Sequence, residues 1–289
     1  MIPPTLIPCA DGVRVAVHDL GGPADTNADI LLFSHATGLH GRTWDPVAAQ
    51  LTDRYRCFAI DHRGHGVSET PDDAGLAWSH MGDDTVAVLD SGLIAPHRVI
   101  HGVGHSMGGA ALVLAAIRRP LRLRSLWLYE PVIVPPGVLP ASGEPNAMAA
   151  AAERRRATFD SADAAAANYA SKPPLGELHP AALQSYVMGG FAPQPDGTVR
   201  LRCLPATEAT VFRGAGDSGA WNAFSALAMP VAVVAGRPEL VGPRAFVPAM
   251  LQSRPATTFI ERPDLGHFGP LEDPISMARD LAAWVVANR

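Results

Sequence analysis

Short apolar runs alternate with segments of helical periodicity along most of this chain. Fully apolar runs of this length are typical of strands in a parallel sheet, because helices cover both faces of such a sheet. The pattern predicts strands at Thr5–Cys9, Val13–His18, Ile30–Phe33, Arg56–Ile60, Val99–Val103, Ser125–Tyr129, Val231–Ala235 and Thr258–Glu261. It predicts helices at Trp44–Leu51, His80–Leu89, Ala110–Arg119, Arg244–Leu251 and Pro274–Ala287. We therefore expect an α/β protein with a mostly parallel, doubly wound sheet of about eight strands.

The alternation stops after Pro131, where prolines crowd a short stretch of the chain. Segments rich in alanine follow, and they predict helices at Ala147–Phe159, Ala162–Ala170 and Pro180–Met188. Because the strand pattern resumes at Val231, residues 134–226 are interpreted as a helical cap inserted into one core of residues 1–133 and 227–289. A cap would lie over the carboxyl ends of the strands, where open α/β sheets bind ligands. A separate helical domain is the alternative.

A serine stands in a glycine-rich turn between a predicted strand and a predicted helix. The sequence is Gly104-His105-Ser106-Met107-Gly108-Gly109, a Gly-x-Ser-x-Gly pattern in strand–turn–helix context. Side chains at the flanking glycines would crowd so sharp a turn. The turn is expected to lift the Ser106 hydroxyl off the end of the sheet. It would also point the Met107 amide at an oxygen that becomes negative during attack.

Four motifs in this order resemble those of the α/β-hydrolase family, in its branch of cap-bearing serine esterases and epoxide-hydrolase-like proteins. They are Ser34–Gly38, residues 61–68 with the form Asp-x-Arg-Gly-x-Gly-x-Ser, the Ser106 turn, and Gly266–Phe268 followed by Leu271–Pro274. The resemblance covers nearly the whole chain. It departs from the family at Ala36, where glycine is usual, and the sequence of the cap matches no known pattern.

The resemblance implies a Ser–His–acid triad with Ser106 as nucleophile and His267 as base. The acid stays open between two glutamates. Glu130 follows the strand before the insertion, and Glu239 follows the strand after it, so both would reach the same edge of the sheet. Glu130 is slightly preferred, because the family more often has aspartate at the position of Glu239.

Other residues receive roles from their places in these motifs. The amides of Thr37 and Met107 are expected to form the oxyanion hole. Candidate substrate contacts are His40, Tyr186, Met188, Phe191 and Phe268. The remaining histidines are interpreted as structural (His35, His62, His65, His101, His105) or as surface and loop residues (His18, His80, His97, His179). The run Arg154–Arg156 could meet an acidic substrate, but we interpret it as a solvated helix face.

The implied reaction is hydrolysis of a carboxylic ester through an acyl-enzyme. Relatives that are dehalogenases or epoxide hydrolases use aspartate at the nucleophile position, so Ser106 argues against both. Carbon–carbon bond hydrolysis, thioester hydrolysis and acyl transfer could use the same triad and stay open. A non-catalytic protein that binds a small ligand is the alternative of another class, because fold does not determine function.

Composition and charge limit the kinds of partner that this protein is expected to bind. The net charge of −5 gives no basic surface for nucleic acid. Neither a cofactor nor a metal is implied, because no His/Cys cluster has the spacing of a zinc site. Three cysteines without a CxxC pair, a start unlike a signal peptide and the lack of a bilayer-length apolar run predict a cytoplasmic protein. The expected partner is a small apolar ester-like molecule, without nucleic acid or membrane, and a homodimer is left open.

Overall fold

The computed structural model describes residues 2–23, 27–141, 143–238 and 242–289. The strands are β1 (Thr5–Pro8), β2 (Arg14–Gly21), β3 (Ile30–Ser34), β4 (Arg56–Asp61), β5 (Ile100–His105), β6 (Ser125–Tyr129), β7 (Thr158–Phe159), β8 (Phe191–Pro193), β9 (Val199–Leu201), β10 (Val231–Ala235) and β11 (Thr258–Glu261). The α-helices are α1 (Asp45–Ala48), α2 (Trp78–Asp90), α3 (Met107–Arg118), α4 (Ala147–Glu153), α5 (Ala162–Ala170), α6 (Pro180–Gly190), α7 (Pro205–Arg213), α8 (Ala220–Ser225), α9 (Val247–Ser253), α10 (Gly269–Glu272) and α11 (Pro274–Ala287). Short 3-10 helices lie at Gly41–Trp44, Ala74–Leu76, Leu175–Glu177, Gly214–Asp217 and Pro243–Phe246.

Eight strands form one sheet in the order β1-β2-β4-β3-β5-β6-β10-β11. The first two strands pair antiparallel and the six others pair parallel, which confirms the predicted fold class. The apolar runs are buried on both faces: α2, α3, α8 and α9 pack on one, and α1 and α11 pack on the other. Because the six parallel strands end at one edge, the loops that follow them meet there.

The segment between β6 and β10 contains α4 to α8 and a small antiparallel sheet, β7-β9-β8. The helix at Ala162–Ala170 lies where it was predicted, whereas the helix predicted over Ala147–Phe159 ends at Glu153. The strands were not predicted, because two or three residues are too few to show alternation. A turn around Gly197, whose φ is +87°, joins β8 to β9.

This inserted segment packs on the loops at the carboxyl edge of the large sheet. One apolar cluster joins Ala36 and Leu39, after β3, and Leu271, in α10, to aromatic residues of the segment such as Phe159 and Tyr169. The cluster therefore connects the segment to loops that also carry candidate site residues. No helix within the described ranges is long and apolar enough to cross a lipid bilayer.

Candidate active site

Ser106 occupies a strained turn between β5 and α3. Its φ of 55° and ψ of −118° lie in a region that L-residues rarely adopt. The backbone around it is held from several sides. Its N–H donates to the carbonyl of Tyr129 at 3.0 Å, and its carbonyl accepts from Gly109 at 3.0 Å and Val132 at 3.2 Å. These bonds tie the turn to the end of β6, which keeps the strained conformation in place.

Two glycines allow the close approach of backbones that the turn requires. A Cβ on Gly104 would lie 2.6 Å from the Cα of Gly109. A Cβ on Gly108 would overlap the carbonyl oxygen of Ser34 and lie 2.6 Å from that of His35. Helix α3 therefore begins in direct backbone contact with the end of β3, as expected for a turn of this kind.

His267 and Glu130 form a partly buried hydrogen bond. The Nδ1–H of His267 donates to Oε2 of Glu130 at 2.7 Å, and the side chain of Glu130 is only 4% exposed. The other carboxylate oxygen, Oε1, accepts from the amide of Gly236 at 2.9 Å. Because a neutral imidazole carries one N–H, this contact leaves Nε2 as the proton acceptor, which is the tautomer a general base needs.

The main chain of His267 is held by the residue before the serine. His105 donates from Nε2 to the carbonyl oxygen of His267 at 2.8 Å, and the two rings are 4.9 Å apart. Phe268 packs edge-on against both rings, at 5.3 Å from His267 and 5.8 Å from His105. The structure therefore brings the loop after β11 to the Ser106 turn, although the chain separates His267 from Ser106 by the whole inserted segment.

The two residues predicted to form an oxyanion hole are in contact. The Thr37 hydroxyl donates to the sulfur of Met107 at 3.4 Å. Met107 is the first residue of α3. Its N–H is therefore among those that have no partner within a helix and are available to an anion. Thr37 is partly exposed, whereas Met107 is fully buried.

Buried histidines join the loop after β3 to the loop after β4. His35 donates from Nδ1 to the carbonyl of Ala36 at 2.8 Å, and its Nε2 accepts from the amide of His62 at 3.0 Å. Burial lowers the pKa of His62 to about 3 and that of His65 to about 4. These histidines are neutral at pH 7, as their structural interpretation requires.

His18 was interpreted as a surface or loop residue, and the structure corrects this. It is 6% exposed and its ring donates to Asp61 at 2.9 Å. Burial alone would raise the pKa of Asp61, but the hydrogen bond from His18 and the nearby histidines hold it well below its usual range. The carboxylate also accepts from the amides of Gly41 and Val67, so it connects β2 to the loops that follow β3 and β4. The apolar and polar alternation along β2 does not reveal such a polar contact.

Four of the five residues predicted to contact the substrate are either buried in packing contacts or exposed on the surface. Tyr186 and Phe191 are 1% and 4% exposed and belong to the apolar cluster of the inserted segment. His40 is 2% exposed and donates to the carbonyl of Tyr186 at 3.0 Å, so it supports α6. Met188 is 60% exposed on the outside of α6. Of these five residues, Phe268 is the one whose ring contacts His267.

The second candidate acid, Glu239, lies outside the described residues. The loop that carries it contributes Gly236, whose amide holds Glu130. This contact could not be predicted from the sequence, because a backbone donor on a glycine leaves no side-chain signal.

The arginine run also needs a correction. Arg154 and Arg156 are exposed, but the side chain of Arg155 is only 21% exposed and forms an ion pair with Glu208 of α7. Arg155 also donates to Tyr186 at 2.5 Å. The carboxylate of Glu208 packs against Gly38, where a Cβ would overlap it and where φ is +76°. Through Glu208, this partly buried pair joins the inserted segment to the turn that contains Thr37.

The fold and the sequence define an α/β hydrolase. The family model described as the alpha/beta hydrolase family matches residues 31–281, and the chain belongs to this family. Over 118 residues it is 38% identical to a Caulobacter vibrioides (strain NA1000 / CB15N) protein named "Putative carbamate hydrolase RutD", with 40% of this chain and 41% of that protein covered. It is 26% identical over 241 residues to the 2-(acetamidomethylene)succinate hydrolase of Mesorhizobium japonicum. This alignment covers 83% of this chain and 81% of the relative.

Solved structures share the fold over the full length. A crystal structure of E-2-(acetamidomethylene)succinate hydrolase has a TM-score of 0.78 at 21% identity and covers 98% of both chains. The esterase RhEst1 from Rhodococcus sp. ECU1013 has a TM-score of 0.75 at 19% identity and covers 100% of both chains. At these identities the likeness shows the fold alone.

Proposed function

We propose that this protein is a serine hydrolase that cleaves a carboxylic ester, or a related acyl bond, through a covalent acyl-enzyme. One observation carries the proposal: His267 donates to Glu130 at 2.7 Å next to the strained turn that presents Ser106. Relatives named for carbamate and acetamidomethylene-succinate hydrolysis and a structural neighbour named as an esterase are consistent with acyl bonds to nitrogen or oxygen.

The reaction would proceed in two halves. Nε2 of His267 takes the proton of Ser106 as its Oγ attacks the substrate carbonyl, and the imidazolium that forms is stabilised by Glu130. The amides of Thr37 and Met107 hold the oxyanion. His267 then protonates the leaving group, which departs as the acyl-enzyme forms. Water, deprotonated by His267, attacks the acyl carbon and releases the acid and free Ser106.

We assign the role of triad acid to Glu130 rather than to Glu239. Support comes from two contacts: one oxygen of Glu130 accepts from His267 and the other from Gly236. A carboxylate held at both oxygens keeps a defined orientation, which the acid of a triad needs in order to orient the imidazole.

We also propose that residues 134–226 act as a cap over the site, with the core formed by 1–133 and 227–289. The apolar cluster between the segment and Ala36, Leu39 and Leu271 supports this arrangement, as does the contact of Glu208 with Gly38. Phe268, beside His267, is the proposed substrate contact among the candidates.

A panel of p-nitrophenyl esters and anilides tests the activity, together with labelling by a fluorophosphonate that reacts with activated serines. We expect wild type to hydrolyse at least one ester and to be labelled. We expect Ser106→Ala to lose about 10⁴-fold or more in kcat and all labelling. Ser225→Ala, which changes an exposed serine of α8, is the matched control and should behave as wild type. Folded wild type that is neither active nor labelled, or Ser106→Ala that stays active, would contradict the proposal.

A further inference from the structure

The peptide groups on either side of Gly266, the residue before His267, are held by two side chains outside the proposed triad. The amide N–H of Gly266 donates to Oε2 of Glu272 at 2.8 Å. The carbonyl oxygen of Gly266 accepts from the hydroxyl of Tyr129 at 2.7 Å. One hydrogen bond thus acts on each side of the Cα that precedes the proposed base.

Tyr129 reaches the carbonyl of Gly266 from the end of β6. It is the last residue of β6, fully buried, and directly precedes Glu130. Two glycines leave room for its hydroxyl: a Cβ on Gly236 would lie 2.9 Å from it, and a Cβ on Gly269 would overlap it. Burial and the neighbouring Glu130 carboxylate raise the pKa of Tyr129, so its hydroxyl stays a donor at any working pH.

Glu272 reaches the same peptide from the end of α10. Its side chain is partly buried, and burial raises its pKa. A Cβ on Gly266 would lie 2.9 Å from the other oxygen of Glu272 and 2.9 Å from Nη2 of Arg237, so both side chains pack closely against this residue. The bond to Gly266 needs only an acceptor oxygen, which glutamine also provides.

We propose that Tyr129 and Glu272 are positioning residues that fix the main chain at Gly266 and so direct the imidazole of His267 at Glu130 and Ser106. This role rests on the proposed function, in which one ring must reach two partners at once. A displacement of about 1 Å in such a site can cost about 100-fold in rate. Two short bonds on adjacent peptides prevent rotation of the loop better than either bond alone.

Four variants separate positioning from general stability. Tyr129→Phe removes only the hydroxyl, and Glu272→Ala removes the acceptor. We expect each to lower kcat and the rate of fluorophosphonate labelling by about 10- to 100-fold, with KM within about twofold of wild type. Glu272→Gln keeps an acceptor and should restore kcat to within about threefold of wild type. Tyr55→Phe, the control, removes a hydroxyl from another fully buried tyrosine at the opposite end of the strands.

A spectroscopic measurement makes the test independent of turnover. The Nδ1 proton of His267, bonded to Glu130, should give a downfield NMR signal that is identified by its loss in His267→Gln. We expect this signal to broaden through faster exchange with water in Tyr129→Phe and Glu272→Ala, but not in Glu272→Gln or Tyr55→Phe. If Tyr129→Phe does not fold, the two Glu272 variants decide.

An unchanged signal and unchanged kcat in Tyr129→Phe and Glu272→Ala would overturn the proposal, as would an equal loss in Tyr55→Phe. Failure of the proposed function has a different signature. In that case wild type shows no turnover that depends on Ser106, while the His267 signal still responds to Tyr129→Phe and Glu272→Ala, and the positioning role stands.

Discussion

Replacing Glu130 by glutamine should abolish most of the hydrolytic activity and leave the protein folded. Glutamine has the shape of glutamate, but one of its two terminal groups is a donor. Gly236 donates to Oε1 at 2.9 Å, so the amide oxygen is expected to stay there. The NH₂ group then faces Nδ1 of His267, which must become an acceptor. The ring proton moves to Nε2, and His267 can no longer accept the proton of Ser106.

The size of the effect follows from the site. Changing the acid of a serine triad to its amide, with the geometry intact, costs about 10⁴-fold in kcat in a well-studied serine protease. Here the side chain of His267 is 23% exposed, so water can partly replace the lost charge. We therefore expect a loss of about 10³- to 10⁴-fold, which corresponds to about 4–5.5 kcal/mol of transition-state stabilisation.

The assay is kcat on the p-nitrophenyl ester that wild type hydrolyses fastest, with thermal melting to check the fold. Glu261→Gln, which changes an exposed glutamate at the end of β11, is the matched control and should keep wild-type activity. Glu239→Gln tests the other candidate acid. The reasoning is refuted if Glu130→Gln keeps more than about a tenth of wild-type kcat, or if Glu239→Gln loses more activity than Glu130→Gln.

Two further predictions concern packing and pH. Gly108→Ala places a Cβ onto the carbonyl of Ser34, so it should cost about 1–3 kcal/mol in urea unfolding and lower kcat. Gly214→Ala, whose Cβ would lie 3.3 Å from the ring of Trp78, should cost less and leave kcat unchanged. Burial lowers the pKa of His62 to about 3 and that of His65 to about 4, so below pH 6.5 the unfolded chain binds protons that the folded one does not. Stability is therefore full above pH 6.5 and falls toward pH 4, by about 2 kcal/mol for each histidine at pH 5. Urea unfolding with equal midpoints at pH 7 and pH 5 would contradict this.

The order and type of the core elements could be predicted from local pattern. The strands Ser125–Tyr129 and Val231–Ala235 have their predicted ends, because an uninterrupted apolar run next to polar residues marks a doubly buried strand. The strands of the small sheet could not be predicted, since two or three residues are too few to show alternation. Glu153 ends α4 early because the chain must turn to place Phe159 in that sheet.

The sequence by itself indicated the two proposed site positions that lie in motifs of local backbone, Ser106 and His267. Glycines that must flank a tight turn mark Ser106, and the terminal Gly-His motif marks His267. The tertiary structure brought the carboxylate of Glu130 to the imidazole of His267. Glu130 and His267 are 137 residues apart. Their contact depends on the order of β6, β10 and β11 in the sheet and on the amide of Gly236.

Burial was likewise decided by tertiary structure. The sequence indicates a surface or loop position for His18, a solvated charge for Arg155 and a substrate contact for Tyr186. In the structure, His18 bonds to Asp61, Arg155 pairs with Glu208, and Tyr186 packs in the apolar cluster of the inserted segment. The physical reason is that local sequence controls backbone conformation over a few residues, whereas the cost of burying a polar group depends on partners that only the folded chain supplies.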